Sequence, residues 1–124
     1  MAQPSTTLPP GREEELDALD GLADAVEENA RDERILARRI RQVRAGRAAG
    51  RSWHSLLDRD RGTSLLDVPT RVMRRATEIS GVLRRRLATG LRAEGATIPA
   101  IAHRFGVTHQ RISALLRNGD RPPE

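Results

Sequence analysis

Apolar residues recur at intervals of three and four along most of this 124-residue chain, and no run alternates apolar with polar residues between turn signals. A period near 3.6 buries one stripe of a helix, whereas a half-buried strand needs a period of two. The pattern predicts an all-α protein: a small helical domain with a long N-terminal helix or helical hairpin, closed by two short helices at the C-terminal end. One Trp, one Phe and no Tyr leave Leu, Ile, Val and Ala to build the core. That composition favours thin helical layers over a large internal cavity.

Residues 1–11 hold three prolines with Ser, Thr and Gly and no apolar period, so they are expected to be a disordered tail. From Arg12 the apolar face runs Leu16, Leu19, Leu22 or Ala23, Val26 and Ala30, then Leu36, Ile40 and Val43. Only Asn29 weakens it, which leaves one long helix or a hairpin open. Gly46 and Gly50 are expected to end the element, with Ser52 capping SWHSLLD and DRDRGTS forming a turn. Asp67, Val68 and Pro69 mark the next helix start, because proline's missing N–H costs nothing in a first turn. Its expected face is Val72, Ala76, Ile79, Leu83, Leu87 and Leu91, with Gly81 and Gly90 as weak points and Gly95 as its end. The division read from these signals is an acidic-then-basic segment at 12–51, a helical domain at 52–119 and a tail at 120–124.

Charge is strongly segregated. Residues 1–33 carry ten acids against Arg12 and Arg31, a formal −8, while the other 91 residues carry 20 arginines against seven acids, a formal +13. Such asymmetry points to a nucleic-acid partner combined with an acidic interaction or masking segment. All 22 basic residues counted as Lys+Arg are Arg, the cation best shaped for bidentate contact with phosphate or guanine, although a GC-rich genome also favours its codons.

The most specific pattern is Thr97–Arg117, TIPAIAHRFGVTHQRISALLR. Two short helices joined by a tight turn need a small residue where they cross, a turn residue that tolerates positive φ, and apolar residues that lock the pair. Ala102 supplies the first, Gly106 the second, and Ile98, Ile101, Phe105, Val107, Ile112 and Leu115 the third. Thr97 and Thr108 stand at the two N-cap positions, and Asn118 with Gly119 marks the end.

The segment resembles the helix-turn-helix of bacterial sigma-factor domain 4 and of small bacterial regulators that share it, with a consensus like "IA..LGVS...V". The matching residues are Ile101, Ala102, Phe105, Gly106, Val107, Thr108, Arg111, Ile112 and Leu115. The resemblance covers about a sixth of the chain and implies that the second helix enters the major groove. It carries Thr108, His109, Gln110, Ser113, Ala114 and Arg117 toward the bases, with Arg111 on phosphate or base, and Thr97 is included among the DNA-binding residues. Arg84, Arg85, Arg86 and Arg104 are read as phosphate contacts. The chain has no room for the promoter-melting and core-polymerase-binding domains of a full sigma factor, so a stand-alone sigma factor is not expected.

Residues 47–57, RAAGRSWHSLL, can be laid beside residues 91–102, matching Gly50 to Gly95, Ser52 to Thr97 and Trp53 to Ile98. Coincidence among Arg- and Ala-rich helices is the preferred reading. A divergent duplication, the other, would make Trp53 a core residue.

Other chemistry is not expected. Asp58, Asp60 and Gly62 have the start of a calcium-loop spacing, but Pro69 stands where the twelfth-position carboxylate belongs. His54, His103 and His109 fall on three different helices without a Cys or a carboxylate at ligand spacing, and Ser52 and His54 lack a nucleophile elbow. No cofactor, metal or enzymatic activity is assigned. With no cysteine, no apolar leader and no apolar run of about 18 residues, a soluble, cytoplasmic, nucleoid-associated protein is expected.

The leading functional expectation is a transcriptional regulator that reads duplex DNA as a homodimer through residues 12–48, since one short recognition helix supplies little contact area. A nucleoid-associated protein with little sequence preference is the alternative. A third reading docks the acidic N-terminal helix on RNA polymerase or another regulator.

Overall fold

A computed structural model describes residues 8–60 and 65–118. Among them lie five helices and no strand: α1 (Arg12–Ala48), α2 (Trp53–Asp60), α3 (Asp67–Ala93), α4 (Ile98–Phe105) and α5 (His109–Asn118). The protein is all-α, as the 3.6-residue period requires. No helix among the described residues is long and apolar enough to cross a membrane. Most of the expected N-terminal tail, the expected C-terminal tail, Gly119 and the Arg61–Ser64 part of the expected turn lie outside the described residues.

The chain divides into two compact units, Met1–Thr77 and Glu78–Glu124, with the boundary within α3. The reason lies in unit 1, where a polar cluster ties α1 to the first half of α3. Asn29, the residue expected to weaken α1, sits buried inside one unbroken helix of 37 residues. Its Nδ2 donates to the Val72 carbonyl at 3.0 Å, and its Oδ1 accepts from Arg75 Nη1 at 2.8 Å. Arg75 also donates to Asp32 at 3.1 Å and lies 3.5 Å from Glu28. A buried amide with all these partners holds the helices together instead of breaking one.

Gly46 lies inside α1 and does not end it. A Cβ there would stand 2.5 Å from Leu56 Cδ2, so the glycine lets α2 approach α1. The chain instead leaves the helix through Gly50, at φ +86°. Ser52 then caps α2 through a bond accepted from the Ser55 N–H at 3.1 Å. The expected turn at Asp58 is corrected: Asp58, Arg59 and Asp60 continue α2, because the helix started by Ser52 meets no Gly or Pro before Gly62.

Unit 2 holds the second half of α3 with α4 and α5. Ala88, Ile101, Ala102 and Ile112 form its core, each exposed by 1% or less, with Leu91, Ile98, Phe105, Val107, Leu115 and Leu116 packed around them. The expected face of α3 needs correction here. Ala76, Leu83 and Leu87 are exposed, while Val68 and Ala88 are buried. A methyl at residue 88 lets another backbone come closer than a leucine would, so the smaller residue takes the inner position. Gly81 and Gly90 do not interrupt the helix.

The two glycine junctions share one set of hydrogen bonds. At the first, the N–H of Gly50 donates to Arg47 and that of Arg51 to Gly46; at the second, Gly95 donates to Arg92 and Ala96 to Leu91. This is the Schellman pairing that a residue of positive φ permits. Arg47 Nη1 donates to the Arg51 carbonyl and Arg92 Nη1 to that of Ala96, at 2.6 and 3.0 Å. Thr97 accepts from the Ala100 N–H as Ser52 does from Ser55. Residues 47–57 thus repeat the local geometry of 92–102 at an offset of 45, with Leu56 buried where Ile101 is. Trp53 departs from the duplication reading: it is 57% exposed, with the Arg47 guanidinium 5.0 Å from its ring centre.

Candidate nucleic-acid interface

The α4–α5 pair is built by three local devices. Thr97, in extended conformation, accepts the Ala100 N–H at 3.2 Å and places Pro99 in the first turn, where it lacks nothing. Gly106, at φ +68° and ψ +33°, ends α4, and the Val107 N–H closes the turn on the Ala102 carbonyl at 3.1 Å. Thr108 then starts α5 by accepting the Arg111 N–H at 3.2 Å. Three residues separate the helices, and the left-handed glycine turns the chain between them.

Packing fixes the orientation of α5. Ile112 is fully buried, which turns the opposite side of the helix outward. Gln110, Ser113, Ala114 and Arg117, at the i, i+3, i+4 and i+7 positions, share that opposite side. Gln110 and Arg117 are exposed, while Ser113 and Ala114 are half-buried. His109 and Arg111 are exposed on the two flanks, one on either side of the stripe. The sequence-derived candidates on α5 therefore resolve into a central stripe of four and a flank of two. Thr97 and Thr108 are exposed, but their hydroxyls are engaged as caps.

The arginines read as phosphate contacts spread more widely. Arg104 is exposed on α4. Arg84 and Arg86 are exposed on α3 and Arg85 is half-buried, its guanidinium lying over Gly81. Counting 100° per residue from buried Ala88, Arg86 points away from the core, and Arg84 and Arg85 straddle the core side one turn earlier. They do not form one outer row. His54, His103 and His109 are exposed on α2, α4 and α5.

Sequence reasoning gave no role to Asn29 or Arg75, whose pairing the structure makes the link between α1 and α3. A lone Asn in an amphipathic helix was the available signal. Comparison with models of protein families, with curated proteins and with solved structures found no match to this chain.

Proposed function

We propose that residues 97–117 are a DNA-binding helix-turn-helix and that the protein is a sequence-specific transcriptional regulator, with α5 as the helix that enters the major groove. One observation carries this reading. A capped α4 and a capped α5, joined at a left-handed glycine and locked by Ala102 and Ile112, leave Gln110 and Arg117 outward on one stripe of α5. An amide in the first turn of such a helix can bond adenine bidentately, and a guanidinium one turn or more further on can bond guanine or phosphate.

The arginine-rich remainder supplies the sequence-independent part of the affinity. Arg84, Arg86 and Arg104 are exposed in the same unit and suit phosphate oxygens, which position a protein on the duplex without specifying bases. In this reading the regulator works as a homodimer, because one ten-residue helix covers few base pairs. Assignment to the nucleoid and to transcription belongs to the same proposal.

The test begins with selection of a preferred duplex from a random pool. Gln110→Ala is then measured on that duplex and on a scrambled one across a salt series. The expected result is a loss of about 1 to 3 kcal/mol on the preferred duplex with little change on the scrambled one. Arg86→Ala is expected to weaken both alike and to lower the salt slope by about one. Equal weakening of both duplexes by Gln110→Ala removes that residue from base reading. A native protein without any preference replaces the regulator with an architectural DNA-binding protein.

A further inference from the structure

The long helix α1 carries two apolar seams, and only one of them is used inside the chain. The used seam includes Leu22, Asn29, Leu36 and Val43, which are buried or half-buried, and it meets Val72 and Arg75 of α3 through Asn29. The second seam lies beside it and runs Leu16, Leu19, Ala23, Val26, Ala37 and Ile40 at alternating three- and four-residue steps once Ala30 and Glu33 are counted. Val26 and Ile40 are 52% and 53% exposed. A spacing of three and four sustained over 25 residues is what a helix presents to another helix of similar length.

Charge identifies the occupant. The net charge of α1 reverses between Glu33 and Arg34, close to its midpoint. Residues 12–33 carry ten acids and two arginines, and residues 34–51 carry seven arginines and no acid. A parallel second copy would set acids on acids along half the helix. An antiparallel copy sets each acidic half on an arginine half, twice by symmetry. Within the chain, Glu28 and Asp32 of the acidic half already pair with an arginine, Arg75 of α3.

The flanking residues define a register. Asp20 and Glu27 follow the seam residues Leu19 and Val26, and Arg34 and Arg41 follow Glu33 and Ile40. All four are exposed, and none makes an ion pair among the described residues. With the two-fold axis near residues 30 and 31, Asp20 faces Arg41 of the second copy and Glu27 faces Arg34. The seam layers nearest to that register pair Val26 with Ala37 and Ala23 with Ile40, about a centre one residue further on, between residues 31 and 32. At 37 residues α1 is about 55 Å long, enough for a stable helical interface.

We infer that the protein dimerises through α1, as an antiparallel helix pair with a second copy of itself, centred near residue 30. This supplies the partner for the homodimer of the proposed function but does not depend on DNA binding, and its test is run without DNA.

The full chain has no cysteine, so introduced thiols report alone. Val26→Cys and Ala37→Cys chains are oxidised separately and as a mixture, beside light scattering of the native chain. The expected result is a dimer mass and a disulfide that forms in the mixture and not in either variant alone. Asp20→Arg with Glu27→Arg is expected to reduce the mass to a monomer's, and adding Arg34→Glu with Arg41→Glu to the same chain is expected to restore the dimer. A monomeric native chain overturns the inference. So does a Val26→Cys chain that cross-links to itself as fast as the mixture, which is the parallel outcome, or a dimer indifferent to the charge reversal. A stable antiparallel dimer that fails to bind any duplex counts against the DNA-binding reading and leaves this one standing.

Discussion

Unit 1 and unit 2 each place a short helix behind a glycine-ended long one, through the same hydrogen bonds, and then bury it differently. Behind Gly95, α4 sinks Ile101 and Ala102 into a core that α5 closes with Ile112. Behind Gly50, α2 buries Leu56 and leaves Trp53 and Leu57 exposed. The junction is a matter of local chemistry: one residue of positive φ, one hydroxyl cap, one arginine bonded to the carbonyl beyond the glycine. A closed core needs a third helix returning across the first two, and in unit 2 the left-handed Gly106 provides that return. Unit 1 relies on the Asn29–Arg75 cluster and keeps an apolar seam open, so matched helix starts do not fix matched packing.

The largest expected effect tests this contrast directly. Ile112→Ala removes a fully buried side chain at the meeting point of three helices and is expected to cost about 2 to 5 kcal/mol, with loss of duplex binding. Leu56→Ala, in a shell with more solvent, is expected to lie at or below the bottom of that range. Thermal melts followed by circular dichroism compare the two. Equal losses would mean that unit 1 is as tightly closed as unit 2.

Next comes the polar link. Asn29→Ala removes the bond to the Val72 carbonyl and deprives Arg75 of one buried acceptor, at a cost of about 1 to 3 kcal/mol. Trp53 is the sole tryptophan and lies in unit 1, so its fluorescence melt should shift to lower temperature. An unmoved transition would show that α1 and α3 are held by something other than this cluster.

Gly50→Ala and Gly95→Ala both force a side chain into left-handed backbone and are each expected to cost about 1 to 2 kcal/mol, by similar amounts. Gly106→Val adds β-branching at positive φ, about 1 to 3 kcal/mol, and should weaken duplex binding as well. Clearly unequal losses at Gly50 and Gly95 would break the structural repeat. The smallest effect belongs to Arg47→Ala, which removes an exposed cation from the Trp53 ring together with its bond to the Arg51 carbonyl and is expected to cost about 0.5 to 1 kcal/mol. A change in Trp53 emission is its direct signature.

Much was legible in the residues themselves. Helix period, the caps Ser52, Thr97 and Thr108, the turn at Gly106 and the core residues Ala102 and Ile112 all follow from local rules, because backbone torsions and capping bonds are satisfied within a few residues. The α5 candidates were legible as a set, since Ile112 and helical periodicity together decide which side faces outward. The placement of Arg84, Arg85 and Arg86 was not, because it depends on which residue of α3 turns inward.

The sequence alone determined an all-helical chain, its glycine-marked junctions and the change of charge sign along α1, each a property of neighbouring residues. Tertiary structure decided that Asn29 joins helices instead of ending one, that Gly46 admits Leu56, and that Ala88 displaces Leu83 and Leu87 from the core of unit 2. Those outcomes turn on how closely two backbones approach and on which distant carbonyl or guanidinium meets a buried amide. Pairing over 43 and 46 residues, as between Asn29 and Val72 or Arg75, has no local signature to read.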